Sequence, residues 1–182
     1  IIETKDACFN TREATLMDFR PSQEEGTTFV YVMPFTPHRA LVEYTLFSPS
    51  LLTEEKYTAG LKEYISTYLK IDEYTIAEEE FGVIPMTNHP FKKVDGRIIN
   101  LGTAGGQTKA SSGYTFRFIQ KNSARIIDSL HAHGHPFDIN PAGKKRFDWY
   151  DSVLLNILHH KTLEGRFIFR QLFKKNKAST IL

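Results

Sequence analysis

Phe29-Val30-Tyr31-Val32-Met33-Pro34-Phe35-Thr36-Pro37-His38-Arg39-Ala40-Leu41-Val42-Glu43-Tyr44-Thr45-Leu46-Phe47 is the stretch that decides the fold. β-Branched and aromatic residues fill both of its halves, which is the composition of a pleated, half-buried surface. The prolines from Pro34 to Pro37 separate the halves as a turn. The stretch therefore predicts two antiparallel strands, Thr28 to Met33 and Arg39 to Phe47. Ala14 to Phe19, set off by Pro21-Ser22 and Gly26, adds a third strand and completes a meander. Side chains alternate along a strand, so Leu41, Glu43, Thr45 and Phe47 share one face while Val42, Tyr44 and Leu46 share the other. Glu43 thus points the same way as apolar neighbours. A carboxyl desolvated in this way is expected to hold a proton near neutral pH, which makes Glu43 a candidate general acid.

Outward from the meander the period changes. Thr53 is an N-cap type followed by Glu54 and Glu55, and Tyr57, Leu61, Tyr64, Ile65, Tyr68 and Leu69 recur at amphipathic-helix spacing. The spacing predicts a helix that ends near Leu69 or Lys70. Thr75 to Ile84 reads as a strand stopped by Pro85. It contains Glu79 and Glu80, which as strand neighbours would face opposite sides, so at most one reaches a common pocket. Asp18 and Arg20, two apart on one strand face, form a local ion pair in the simplest reading.

Arg97 to Leu101 is a short strand running into Gly102-Thr103-Ala104-Gly105-Gly106, and Tyr114 to Leu130 has helical spacing. A strand, a glycine-rich turn and a helix in this order suit a phosphate or flavin contact through backbone N–H groups. The spacing is not the G-x-G-x-x-G of a first dinucleotide-binding turn. A loop with Gly134, Pro136, Pro141 and Gly143 then leads to a helix from about Asp148 to His160, and a last segment spans Arg166 to Lys175. His131, His133, His135 and Asp138 invite a metal reading, but Gly134 and Pro136 mark a loop and no cysteine joins them, so no metal is expected.

Composition narrows the classes. The chain has 182 residues, with 23 Lys and Arg against 21 Asp and Glu, a net charge of +2 that gives no reason to expect nucleic acid as partner. The charge is unevenly spread: residues 54–80 carry eight acids against three lysines, and residues 144–177 nine basic residues against three acids. The single cysteine, Cys8, leaves no internal disulfide framework or multi-cysteine metal site and fits a reducing, cytoplasmic compartment. No apolar run approaches the roughly 20 residues of a membrane-spanning helix. Fourteen Phe and eight Tyr against one Trp point to a large apolar core or an apolar ligand.

Four segments together resemble one family, the flavin-dependent lycopene cyclases of carotenoid biosynthesis. They are Ala14-Thr15-Leu16-Met17-Asp18-Phe19-Arg20, then Phe29 to Phe35 with Leu41-Val42-Glu43-Tyr44-Thr45, then Glu79-Glu80-Phe81-Gly82-Val83-Ile84-Pro85-Met86, and last Leu101 to Gly106 through Ser112-Gly113-Tyr114. The resemblance spans about residues 8–175 and is to the second half of the family only. It implies an α/β flavoprotein fold, with α+β character in this fragment, in which an antiparallel substrate-binding sheet is inserted and the FAD-binding domain is incomplete. It implies a chain truncated at the front, with residues 1–95 as substrate sheet and covering helix, 96–133 as the strand-turn-helix returning to the FAD domain, and 134–182 as a helical cap.

The same resemblance implies a lycopene β-cyclase, an isomerase acting on lycopene or a related acyclic carotenoid. Reduced FAD would be its cofactor and NAD(P)H the reductant that maintains it. It places the catalytic carboxylate at Glu43, with Glu80 as a second candidate, and cofactor contacts at Gly102, Thr103, Ala104, Gly105, Gly106, Ser111, Ser112, Gly113 and Tyr114. The chain has Lys109-Ala110-Ser111-Ser112 where many members have a His-Pro pair, so no role for that histidine carries over. A bilayer-dissolved substrate makes peripheral membrane contact an expectation, with the basic, Phe-rich segment Arg166 to Lys175 as either a surface helix or a core helix. Two other readings stay open: a related flavoprotein that reduces or hydroxylates an isoprenoid, and a non-catalytic module that binds a hydrophobic ligand.

Overall fold

The computed structural model describes residues 1–139 and 145–177. The architecture is α+β, and all its strand pairs are antiparallel. The strands are β1 (Ile2–Glu3), β2 (Thr15–Asp18), β3 (Thr27–Thr36), β4 (Arg39–Phe47), β5 (Thr75–Ile76), β6 (Val94–Asp95) and β7 (Ile98–Ile99). The helices are α1 (Glu54–Tyr64), extended by a π-helical turn over Ile65–Leu69, then α2 (Phe116–His133), α3 (Lys145–His159) and α4 (Gly165–Lys175). By its contacts the chain divides into two compact units, one of Ile1–Phe81 with Leu158–Leu182 and the other of Gly82–Ile157.

In the first unit a five-stranded sheet runs in the order β2-β3-β4-β1-β5. Its spine is the β3–β4 hairpin, with Phe29 opposite Thr45, Tyr31 opposite Glu43 and Met33 opposite Leu41. Val30, Val32, Ala40 and Val42 alternate onto one face, where they are buried with Ile2, Tyr64, Ile65 and Ile71 under α1 and its π-helical turn. Burial of side chains of this size stabilises a fold by about 1.5–3 kcal/mol each. The helix comes close because residue 60 is glycine: a Cβ there would stand 2.8 Å from the Tyr44 ring. The other face of the hairpin is also covered. Phe29 is 1% exposed, and Phe169 of α4, itself buried, packs against Phe19 and Phe47 on that side. The sheet is thus sandwiched between α1 and α4, which explains why Thr27 to Val32 is buried without alternation.

Several expected boundaries move. Pro34 does not end β3; it pairs with Ala40 beside an irregularity in register between Pro34 and Thr36, and the hairpin turns at Pro37-His38. A proline is tolerated at such a bulge because the ladder is already interrupted there. The strand expected over Thr75 to Ile84 shrinks to Thr75–Ile76, because β5 pairs only with β1, which offers two residues. β2 carries its own register shift between Thr15 and Asp18, with Met17 at positive φ. The helix expected after Thr53 is present, but the Thr53 side chain makes no capping hydrogen bond.

In the second unit β6 and β7 form a hairpin, followed by the glycine turn and α2. α2 starts at Phe116 and runs to His133, three residues past the expected end. Pro141 and Gly143 of the expected loop, and residues 180–182, lie outside the described residues.

Candidate functional site

Glu43 sits in the middle of β4, directly across from Tyr31 on the face that α4 partly covers. Beside Tyr31 a continuous group of rings begins. Phe29 meets Tyr31 edge-on at 5.4 Å between centroids and Phe47 edge-on at 5.0 Å. Phe19 lies 5.4 Å from Phe29 and stacks on Phe169 at 5.6 Å, and Phe169 meets Phe47 at 6.1 Å. These offset and edge-to-face arrangements are the favourable ones for aromatic quadrupoles. The sheet register explains the cluster: Phe29, Tyr31 and Phe47 all alternate onto Glu43's face, and α4 contributes Phe169 from far along the chain.

The burial expected for the Glu43 carboxyl is corrected. Glu43 is exposed: the ring contacts of Phe29, Phe47 and Phe169 gather at the Thr27 end of the face and do not enclose its side chain. Its neighbour orients it: the Thr45 hydroxyl donates to Glu43 Oε1 at 3.2 Å. Glu80 is exposed as well and lies outside any strand, so the argument that Glu79 and Glu80 face opposite sides has no strand to rest on. No described contact joins Glu80 to Glu43.

On the opposite face Asp18 is held more firmly than a local ion pair would hold it. Arg20 Nη2 reaches Asp18 Oδ2 at 2.5 Å, and the buried Tyr64 hydroxyl donates to the same oxygen at 2.7 Å. The Tyr68 hydroxyl donates to the Arg20 carbonyl at 2.9 Å, and the Arg20 guanidinium lies over the Tyr68 ring at 4.6 Å. Burial alone would raise the Asp18 carboxyl, but hydrogen bonds from Arg20 and Tyr64 outweigh it and hold the group below its usual range. Burial, and then the hydrogen bond to Asp18, push the Tyr64 hydroxyl up. The network ties β2 to α1 and faces away from Glu43.

The glycine turn keeps most of its amides for itself. The Gly105 amide donates to Gly102 O at 3.2 Å, Gly106 to Thr103 O at 3.0 Å, and Gln107 to Gly102 O at 3.0 Å, while the Gly102 amide donates to Gln107 Oε1 at 2.9 Å. In the second turn the Ser112 and Gly113 amides donate to Lys109 O, and the Tyr114 amide to Ser112 Oγ. Lys109 is anchored by both carboxylate oxygens of Asp151, at 2.6 and 2.8 Å. Among the described residues the amides of Thr103 and Ala104 make no bond within the turn, and the start of α2 at Phe116 has no side-chain cap.

A match to the lycopene cyclase protein family extends over residues 1–181. The chain belongs to the lycopene cyclase family. Two curated relatives, each described as a chloroplastic/chromoplastic lycopene beta cyclase, are similar to it: one from Narcissus pseudonarcissus, 29% identical over 130 residues, and one from Capsicum annuum, 28% identical over 130 residues. In each case the alignment covers 63% of this chain and 25% of the relative, so the chain spans about a quarter of the length of the relatives it matches. No solved structure matches the chain significantly.

Within this lycopene cyclase chain the histidine cluster belongs to the second unit. His133 Nε2 lies 3.4 Å from Asp138 Oδ2, and the His133 and His135 rings stack at 5.8 Å. Among the described residues no three His, Cys, Asp or Glu side chains converge as metal ligands would. A shallow cavity of about 240 Å³ beside Arg125, Asp128, Ser129, His133 and Asp138 contains none of the expected site residues. The sequence reading missed the Tyr64 to Asp18 bond and the place of Phe169. The alternation of Phe29 and Tyr31 with Phe47 was the available signal for the ring group.

Proposed function

We propose that this chain provides the substrate-facing sheet of a lycopene β-cyclase, which closes the ends of lycopene or a related acyclic carotenoid into β-ionone rings. The observation that carries the reading is Glu43 beside an aromatic-lined sheet face, in a chain of the lycopene cyclase family. The Glu43 carboxyl, oriented by Thr45, donates a proton to the terminal double bond. The neighbouring double bond attacks the resulting cation, a carbon–carbon bond closes the ring, and a carboxylate takes up a ring proton. Protons balance and no net electrons move, so the conversion is an isomerisation.

An apolar substrate laid over this face excludes water, which disfavours the charged form of a carboxylate and suits a proton donor. After transfer, the Glu43 carboxylate stabilises the cation by its charge, and aromatic faces add cation–π attraction. Glu80 is the second carboxylate of the proposal and serves as the proton acceptor. FAD is assigned to the Gly102 to Gly106 turn and to Ser111 to Tyr114, with the Thr103 and Ala104 amides as the donors that remain for it. Bound in reduced form, with NAD(P)H as reductant, FAD supplies negative charge and a proton relay without net hydride transfer.

Contact with a membrane surface, which would place the protein peripherally in the cytoplasm, belongs to the same proposal. No described helix is long and apolar enough to cross a membrane. α4 turns Phe169 inward, while Phe167 is 52% exposed among Arg166, Arg170 and Lys174, which fall on one stripe of the helix. An aromatic residue among cations suits an anionic lipid surface.

The test is Glu43→Gln in the cyclase, assayed with lycopene and reduced flavin. Loss of at least roughly 100-fold in cyclisation is expected from removal of a general acid. Cyclisation at the wild-type rate would remove Glu43 from the chemistry, and NADPH consumed in step with product would point to a reductase or hydroxylase instead.

A further inference from the structure

Within the second unit, residue 109 closes the second turn from both ends. Its carbonyl accepts the amides of Ser112, at 3.2 Å, and Gly113, at 2.8 Å, and its own amide donates to Tyr114 O at 2.9 Å. Whatever fixes residue 109 therefore fixes Ser112 to Tyr114. No proline stands among Ala110, Ser111 and Ser112, and Gly113 has a φ of 74°, so this backbone supplies little stiffness of its own. A side chain supplies it instead. Lys109 Nζ donates to both carboxylate oxygens of Asp151 in α3, 42 residues on, at 2.6 and 2.8 Å. The Asp151 side chain is 15% exposed and that of Lys109 33%, so water and salt screen this pair less than a surface pair.

A row of hydroxyls carries the same position to the glycine turn. Thr115 Oγ1 donates its one proton to Gly113 O at 3.1 Å, so in the 3.1 Å contact between Thr108 and Thr115 the Thr108 hydroxyl is the donor. The Thr108 proton is thereby committed, and Thr103 donates to Thr108 at 3.3 Å. Every proton in the row points from the glycine turn toward Gly113, and the two turns are joined through Thr108, the residue before Lys109.

We infer that Asp151 is a positioning residue: acting through Lys109, it holds the Lys109 to Tyr114 turn, and through Thr108 the glycine turn, in place for the cofactor. This rests on the assignment of flavin to those turns. Asp151 itself belongs to α3, so the helix and the turns are fixed as one piece.

Amide hydrogen exchange reads the turn directly, with FAD titration by flavin fluorescence alongside it. Asp151→Asn and Lys109→Met should each speed exchange at Ser112 and Gly113 roughly tenfold, and Lys109→Arg, which still offers the carboxylate two donors, should keep it slow. FAD should bind the two broken-pair variants roughly tenfold more weakly, and Lys109→Arg as tightly as wild type. Asp148→Asn, one turn earlier on α3, removes an exposed charge and should change neither reading. Unchanged exchange in both broken-pair variants, or an equal rise in Asp148→Asn, would overturn the positioning role. So would a rise shared by the α2 amides from Ser123 to Leu130, which would show that the whole unit has loosened. FAD that fails to bind wild type, or binds all variants alike while exchange changes as expected, would overturn the flavin assignment instead, so the two failures are told apart.

Discussion

The Tyr64 hydroxyl donates to Asp18 Oδ2 at 2.7 Å, and this bond joins the last turn of α1 to the edge strand β2. Tyr64 is 1% exposed, so the phenylalanine variant keeps the packing and loses only the bond. Tyr64→Phe is expected to cost about 1–2 kcal/mol, read by urea unfolding at neutral pH. Its pH dependence has a definite sign. The folded Asp18 carboxyl lies below its usual value of 3.8, so its contribution is complete above that value and is lost as pH falls through the folded pKa. The gap between wild type and Tyr64→Phe should therefore hold from about pH 7 down to about pH 4 and shrink only below that.

Glu43 is exposed, and its one described side-chain hydrogen bond comes from Thr45. Glu43→Gln should leave unfolding free energy within about 0.5 kcal/mol of wild type, the ordinary range for surface substitutions. Loss of cyclisation in a variant with unchanged denaturation midpoint would assign the residue to chemistry, whereas a lowered midpoint would assign it to structure.

Gly165 opens α4 against β3. By helix propensity alone Ala would stabilise this position by up to about 1 kcal/mol. The Cβ would meet Thr27 Oγ1 at 2.0 Å, so the contact decides the sign. Gly165→Ala should destabilise by about 1–3 kcal/mol, as overpacking does. Combining it with Thr27→Ser, which removes the methyl group also crowded by that Cβ, should recover part of the loss in thermal unfolding.

Phe29 touches Phe19, Tyr31 and Phe47 and is almost wholly buried. Phe29→Ala should cost about 3–5 kcal/mol, the range for aromatic truncation in a core. A loss below about 1 kcal/mol in chemical denaturation would mean that the ring group is not packed as described.

The outward stripe of α4 sets Arg166, Arg170 and Lys174 around Phe167. Flotation with anionic vesicles should recover the protein, and flotation with neutral vesicles should recover less. Arg170→Glu with Lys174→Glu should reduce anionic recovery several-fold, since each basic residue near such a surface contributes about 1 kcal/mol. Equal recovery of wild type and variant would take α4 out of the membrane contact.

The sequence by itself determined the meander, the helix after Thr53 and the face that Glu43 occupies. These follow from short-range regularities: period-two alternation across Leu41 to Phe47, helical spacing from Tyr57 to Leu69, and turn residues between them. Strand length beyond Ile76 was not legible, because a strand persists only as far as its partner, and β1 offers two residues. Nor was the exposure of Glu43, since alternation fixes the side of a sheet but not what covers it.

Only tertiary structure decided that Phe169 stands with Phe19 and Phe47 on the Glu43 face, more than a hundred residues away in the chain. It also decided that Tyr64 meets Asp18, and that the glycine turn spends its amides on its own carbonyls. Spacing reports which residues share a face, but which faces meet is settled when distant segments compete to bury apolar surface and satisfy polar groups.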